Sequence, residues 1–443
     1  MFRYSFHKTL LNVYRVFTPR KYLCSNLKFK SKKCEKVLYN ALPKPELDIK
    51  YLCDAKNKEI IELNIKKRKG VGNINRVQEL YHQFENAASQ DKLALEEEFL
   101  KEALQLPNSS HPQLLSYADD PKIVNKINEK KVFTFKPKEF STITKILKVL
   151  KTENLGNFAG HKSYYLLGGL AEMEQALIKL ALQNLLQKGF KLVHVPDILP
   201  RHIIESCGMN TRGERTQVYE LDSEKHIPDM ILSGTSEMAL AGYLMNKVYS
   251  SNDLPLKYMA VSRCYRAETS AVTEERGIYR VHQFTKVEMF GVTEPENSHT
   301  VLEEFRTIQE EFFASFGLHF VTLDMPLHEL GAPAFRKYDI EAWLPGRGIY
   351  GEVSSCSNCT DYQSRRLNIK YSPSGSNKLL HVHTINGTAC AIPRMLIALV
   401  ETNQQSNGSV QIPEVLQPFM NGKTIITREE NLPKFHLIRT KLK

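Results

Sequence analysis

No stretch of this 443-residue chain approaches the roughly 18 apolar residues of a membrane-spanning helix, so insertion by that route is excluded. No Walker P-loop is present and no glycine-rich fingerprint leads a strand into a helix, so any nucleotide is held by another device. The eight cysteines have no disulfide-framework spacing, which points to a reducing compartment. Cys356-x-x-Cys359 has no second CxxC or CxxH to complete a zinc site. Tryptophan occurs once, at 343. Acids are missing from residues 1–34, and the first forty residues hold ten Lys/Arg against Glu35 alone. That segment therefore supplies +9 of the net +11, and the remaining 403 residues carry only +2. The basic balance of the whole is thus no nucleic-acid signature.

An acid-free start whose Phe, Leu, Val and Tyr positions alternate with Arg3, Lys8, Arg15 and Arg20 reads as a mitochondrial import segment, in preference to a basic RNA-binding arm. Cleavage is expected between residues 20 and 40. With 42% apolar residues the chain can build two or three domains with ample core.

Helical spacing over residues 46–105 predicts an antiparallel hairpin of ~16 residues a side, ~24 Å long by helix rise. Leu106–Pro112 ends it with two prolines and an Asn-Ser-Ser run. Beyond it, VFTFKP at 132–137 predicts a strand, Ile143–Leu150 a short helix and Leu170–Lys188 a long amphipathic one. Strands joined by hairpins then outnumber βαβ units, giving an α+β fold: an antiparallel sheet flanked by helices. The expected organisation is an import segment (1–40), a helical arm (45–112), a catalytic domain (113–425) and a basic tail (426–443).

The most informative stretch is Arg263–Phe290. Two strand-forming runs flank a polar loop carrying Arg266, Glu268, Glu274, Glu275, Arg276 and Arg280. In the second run His282, Phe284, Lys286 and Glu288 share one side at period two. Guanidinium forks grip phosphate oxygens, while carboxylates take amines or a magnesium-bound ligand. From charge alone this fits either a platform for a polyanion or a salt-bridged hairpin tip.

Four motifs in order resolve the choice, and the chain resembles the class II aminoacyl-tRNA synthetases, specifically the seryl-tRNA synthetases and their mitochondrial branch. Gly189-Phe190, Val193 and Pro196 match motif 1, which implies a homodimer; Asp197 departs from the usual apolar residue. Arg266-Ala267-Glu268 with Arg276-Gly277, Arg280, His282-Gln283-Phe284 and Glu288 matches motif 2. Gly351–Arg366 resembles the family's signature strand, and Asn386–Gln405 matches motif 3.

The resemblance implies ATP-dependent activation of L-serine and its transfer to tRNA(Ser) in the mitochondrial matrix. It implies Arg266 at the α-phosphate, Arg394 at the γ-phosphate and Glu352 as the third catalytic group. Phe284 stacks on adenine and Glu268 reads its amino group, with Ala267, Arg280, Val281, Val353 and Ser354 completing the ATP site. Mg2+ arrives with ATP, held through Glu352 and Ser355; no zinc is expected. For serine, Thr235, Ser236 and Glu237 form one side, Glu237 taking the α-ammonium, while Glu288 and Thr388 meet the hydroxyl. Ser236, Ala267 and Pro393 depart from the family's usual alanine, serine and glycine, yet none removes a charge the chemistry needs. The arm is far shorter than the family's coiled coil, so Lys66–Lys69, the lysines near the import segment and Arg439–Lys443 become candidate phosphate contacts. Two alternatives remain: an inactive paralogue binding RNA or protein, and an adenylate-forming enzyme acting on a carrier protein.

Overall fold

The computed structural model describes residues 42–430 apart from 69, 154, 156–158, 214–215, 226–228 and 269–276. The import segment, the tail Arg439–Lys443 and Lys69 lie outside the described residues.

Beyond one five-residue helical turn at Ile49–Cys53, three longer helices make the arm: α1 (Lys58–Lys67), α2 (Ile74–Asn86) and α3 (Lys92–Ala103). Asn73 caps α2 by accepting from the N–H groups of Asn75 and Arg76. Gly72 makes the preceding turn at φ +89°, where a Cβ would lie 2.7 Å from Leu106. Ile61, Ile65, Ile74, Val77, Leu80, Phe99 and Ala103 bury together as the arm's own core. The hairpin is α2 against α3, 13 and 12 residues long, or ~20 and ~18 Å by helix rise. It is shorter than the spacing predicts because α1 does not project with it. Instead α1 packs on the catalytic domain.

The reason lies in Asn64 and Arg68, both buried on α1's inner side. Arg68 Nη1 donates to the Asn108 carbonyl (2.9 Å) and Ser110 Oγ (3.2 Å). Its Nη2 donates to the carbonyls of Gly331 and Ala332. Burial lowers this guanidinium to about 10, with no carboxylate beside it. Lys67 Nζ is likewise engaged, on the Leu115 carbonyl (3.0 Å). Of the expected phosphate contacts at 66–69, Arg68 and Lys67 are therefore structural staples, and Lys66 is exposed. Arg68→Met is expected to destabilise docking of the arm by ~3 kcal/mol, since buried carbonyls lose their donors. Faster amide hydrogen exchange across α1–α3, with the sheet unaffected, is the measurement.

The catalytic domain is built on eight strands: β1 (Lys122–Ile127), β2 (Lys191–Leu192), β3 (Leu256–Tyr265), β4 (Gln283–Thr293), β5 (Phe320–Asp324), β6 (Arg336–Leu344), β7 (Ile349–Thr360) and β8 (His383–Ala391). Their order in the sheet is β1-β5-β6-β7-β8-β4-β3-β2. All neighbours are antiparallel except β2 with β3. Residues 132–137 form no strand. Phe133 and Phe135 meet edge-to-face instead, 5.3 Å between centroids.

Four helices fix the sheet's functional part: α4 (Gly168–Gln187), α5 (Ser236–Tyr243), α6 (Ser298–Ala314) and α8 (Ile392–Thr402), with the short α7 (Tyr362–Leu367) between the last two. Apolar positions of α4, α6 and α8 (Leu170, Phe305 and Leu396 among them) join Met289, Ile340 and Val353 of the sheet in the main core. Cys390, next to the last residue of β8, is fully buried.

Gly346, Gly348 and Gly351 stand at G-x-G-x-x-G spacing, but in a hairpin between β6 and β7, where no helix follows to receive a pyrophosphate. Gly346 donates its N–H to Glu401 Oε2 (2.9 Å), whose Oε1 accepts from the N–H of Phe140 (2.9 Å). A Cβ at Gly346 would sit 2.2 Å from the Lys138 carbonyl oxygen. Gly346→Ala is thus expected to lower stability by ~3 kcal/mol, read as a fall in thermal midpoint, because backbone cannot yield as a side chain does.

Candidate functional site

The loop opening the site starts where β3 ends. Register runs Gln283↔Tyr265 through Val292↔Leu256, so β3 and β4 form the expected hairpin and Phe284, Lys286 and Glu288 alternate along one face. Arg266 N–H donates to the His282 carbonyl (2.9 Å), and His282 Nδ1 lies 3.0 Å from the Arg266 carbonyl. Ala267 N–H donates to the Gln217 carbonyl (2.9 Å). These bonds use only the backbone of Arg266 and Ala267, leaving the Arg266 side chain over the Phe284 ring at 5.3 Å. Glu268 is buried and accepts from Arg280 Nη1 (3.2 and 3.3 Å) and Gln217 Nε2 (3.3 Å). Glu274, Glu275 and Arg276 lie outside the described residues.

A second charged group comes from β7 and α8. Arg394 Nη1 pairs with Glu352 Oε2 at 2.9 Å and donates to the Glu352 carbonyl at 3.2 Å. Its guanidinium lies 4.6 Å from the Tyr279 ring centre, and the Tyr279 hydroxyl donates to that same carbonyl (3.2 Å). Burial pushes the Glu352 carboxyl up, but Arg394, Lys337 and Arg266 outweigh it and hold the group below the ordinary glutamate range. Glu352 and Arg266, 86 residues apart in sequence, thereby share one electrostatic neighbourhood.

A β-bulge shapes this edge. Ser354 pairs with Ile340 and Glu352 with Glu341, so Val353 is the extra residue. The bulge lets Glu352 lie opposite Glu341 while Ser355, three residues on, lies opposite Asp339. Val353 points into the core, and the Ser354 hydroxyl donates to the Thr388 carbonyl (2.5 Å) while accepting from Gln309 Nε2. Val281 is buried in the same core. The side chains of Val281, Val353 and Ser354 are thus all engaged in the interior of the domain. Asp339 is drawn up to about 7 by burial, with Lys337 opposing and Glu352 and Glu341 adding. Its Oδ1 is buried without a hydrogen-bond partner among the described residues, beside two further carboxylates. That oxygen-rich set suits a hard divalent cation, although no cluster of three or more His, Cys, Asp or Glu is arranged as a metal cage among the described residues.

The third group surrounds the start of α5. Thr235 is its N-cap, accepting from the Glu237 N–H (3.4 Å). Thr235 Oγ1 donates to Glu288 Oε2 (2.8 Å) and accepts from Lys286 Nζ (2.9 Å). Lys286 also pairs with Glu288 Oε2, which closes a buried triangle. Glu237 Oε1 accepts from Gln363 Nε2 (2.6 Å) and Asn386 Nδ2 (2.8 Å). Burial first, and Glu288 second, raise Glu237 to about 7 against the opposing pull of Gln363, Lys286 and Asn386. Thr388 lies directly opposite Glu288 on β8. The Ser236 hydroxyl is buried and has no hydrogen-bond partner among the described residues. Cys356 and Cys359 are fully buried, and burial raises both thiols well above their usual range.

Arg266, Glu268, Arg280 and Phe284 thus come together, as do Glu352 with Arg394, and Thr235, Glu237, Glu288 and Thr388. Residues that sequence reasoning assigned no role are Lys286, Gln363, Asn386, Tyr279, Lys337 and Asp339. Lys286 carried a signal, its period-two spacing from Glu288. Gln363 and Asn386 carried none, since only the sheet brings them to Glu237.

Comparison with known proteins follows from this geometry. The tRNA synthetase class II core domain (G, H, P, S and T) matches residues 219–403. The mitochondrial serine–tRNA ligase of Mus musculus is 46% identical over 342 residues, 76% of this chain and 65% of that protein. That of Saccharomyces cerevisiae is 42% identical over 341 residues, 75% of each. The serine–tRNA ligase of Rubrobacter xylanophilus is 40% identical over 334 residues, 75% of this chain and 78% of that protein. The structure of seryl-tRNA synthetase from Pyrococcus horikoshii complexed with ATP superposes with a TM-score of 0.79 at 28% identity, covering 87% of this chain and 100% of that one. The cytoplasmic serine–tRNA ligase of Naegleria fowleri in complex with AMP gives 0.77 at 29% identity, covering 87% and 99%. The chain spans about 65% of the length of the mouse and cattle relatives it matches.

Proposed function

Because this chain belongs to the seryl-tRNA synthetase family of class II synthetases, we propose that it activates L-serine with ATP and transfers the seryl group to tRNA(Ser). The observation carrying this reading is the pair of carboxylates, Glu237 and Glu288, held near the cations of the same sheet. In each, one oxygen takes the protein's hydrogen bonds. The other has none among the described residues and is available to a ligand.

In the first step the serine carboxylate attacks the α-phosphorus and pyrophosphate leaves with its bonding electrons. No strong general base is needed, because the carboxylate is already the nucleophile. What the protein contributes is positioning and charge: Arg266 on the α-phosphate, Arg394 on the γ-phosphate and Phe284 beneath adenine. Glu268, its carboxylate fixed by Arg280, reads the adenine amino group. Mg2+ accompanying ATP supplies charge neutralisation at the phosphates, with Glu352 and Ser355 to hold it. In the second step a ribose hydroxyl at the tRNA 3′ end attacks the seryl carbonyl and AMP departs.

Glu237 takes serine's ammonium, and Glu288 with Thr388 meets its hydroxyl. A site built to bond a hydroxyl rejects alanine by ~10⁴, since its own polar groups would be stranded. A homodimer is proposed through the motif 1 region, where Leu186, Leu192 and Ile198 are exposed at 54%, 52% and 45% beside the β2 edge. The mitochondrial matrix is proposed as the site of action, supported by the names of the relatives and the acid-free first 34 residues.

Serine-dependent ATP–pyrophosphate exchange is the first test, followed by charging of mitochondrial serine tRNA transcripts. Absence of exchange would sink the reading, and exchange without charging would direct it to another acceptor.

A further inference from the structure

One short stretch, Cys359–Arg366, touches both the arm and the pocket around Glu237. Toward the arm, Asn108 Nδ2 donates to the Cys359 carbonyl (2.9 Å), Thr360 Oγ1 (2.9 Å) and the Pro333 carbonyl (2.8 Å). Arg365 Nη1 donates to the Glu46 carbonyl (3.1 Å) and Arg366 Nη2 to that of Leu104 (3.5 Å). Toward the pocket, Cys359 Sγ accepts from Asn386 Nδ2 (3.5 Å), the same amide group that donates to Glu237. Four residues on, fully buried Gln363 donates to Glu237 Oε1.

Thr360 stands between these contacts at φ 45°, in the left-handed region. For a β-branched residue that is an outlier, and such strain persists only where the surroundings over-determine it. Here they do so from two sides. Asn358 Oδ1 accepts the Thr360 N–H (2.8 Å), and Asn108 clamps its hydroxyl and the preceding carbonyl. Asn108 is in turn tied to the arm, its own carbonyl accepting from Asn64 Nδ2 and Arg68 Nη1 (both 2.9 Å).

We propose that Asn108 is a positioning residue for amino-acid binding. By clamping Cys359 and Thr360 it fixes the start of α7, and with it the Gln363 and Asn386 donors that aim Glu237, so that docking of the arm sets the affinity for serine. The inference rests on the serine-activating reading above. Neither Asn108 nor Thr360 touches the substrate; both act through the two amides.

In the full chain, Asn108→Ala is expected to raise KM for serine about tenfold in pyrophosphate exchange, equivalent to ~1.4 kcal/mol. Its kcat and its KM for ATP stay within about twofold. A clamp that merely stabilised the fold would reduce the active fraction, and so kcat, with both KM values unmoved. Should Asn108→Ala not fold, Thr360→Gly serves: it removes the hydroxyl, suits the left-handed backbone, and is expected to raise serine KM alike. An unmoved serine KM in the folded variant, or an equal rise for ATP, overturns the proposal while leaving serine activation standing. No serine-dependent exchange from the unsubstituted chain overturns both.

Discussion

Arg266→Ala is expected to lower serine-dependent ATP–pyrophosphate exchange by ~10³-fold while the thermal midpoint stays close to that of the unsubstituted protein. The two halves of this prediction come from different atoms of one residue. The backbone of Arg266 ties the loop base to His282, and the Ala267 N–H beside it holds Gln217. None of those bonds involves the guanidinium, so truncation leaves them in place. The side chain instead lies over Phe284 and contributes to the field that keeps Glu352 ionised. On the proposed reading, the cation held over Phe284 answers charge that develops at the α-phosphate as pyrophosphate leaves. Water would have to reorganise to replace it, which is why its loss falls on turnover. Exchange surviving in Arg266→Ala would mean that the motif 2 arginine has been misassigned.

The clustering of cations and carboxylates on the β3–β4 hairpin was legible in the sequence because they are closely spaced in it. Arg266, Glu268, Arg280, Phe284 and Glu288 span one hairpin, and a hairpin's register follows from its own alternation. Motif 3 delivered Arg394 and Thr388 for a similar reason, since the strand β8 runs directly into α8. What stayed hidden depends on contacts between distant segments. Lys66–Lys69 read as a basic patch, yet Arg68 is taken inward by carbonyls at Asn108, Gly331 and Ala332, the last two more than 260 residues away. No periodicity marks that fate. The bulge at Val353 was equally invisible: a regular strand would put Glu352 and Ser354 on one face, and one extra residue exchanges Ser354 for Ser355. Residues 132–137 have the composition of a strand, yet Phe133 and Phe135 meet each other edge-on instead of joining a sheet.

Glu237→Gln is expected to reduce kcat/KM for serine by ~10²-fold at pH 8 and to abolish its pH dependence near neutrality, since a charge-assisted hydrogen bond to a buried cation is worth ~1.5–3 kcal/mol. Gln363 and Asn386 both donate to Oε1, which a glutamine retains as its amide oxygen, so the fold should accept the change. In the unsubstituted protein the carboxyl is raised to about 7, by burial and then by Glu288. An ammonium group binds the ionised form, so kcat/KM for serine should climb as pH rises through that value and level off above it. Stability runs the other way. Between the ordinary glutamate range and about 7 the folded state keeps a proton that the unfolded state has lost, so Glu237 stabilises the fold at low pH and that contribution disappears as pH rises through its folded value. Thermal midpoints measured from pH 5.5 to 8.5 should therefore decline less steeply for Glu237→Gln than for the parent. The opposed slopes are what a purely structural carboxylate would not give: burial sets the cost of ionising Glu237, and on the proposed reading the serine ammonium is the charge that offsets it.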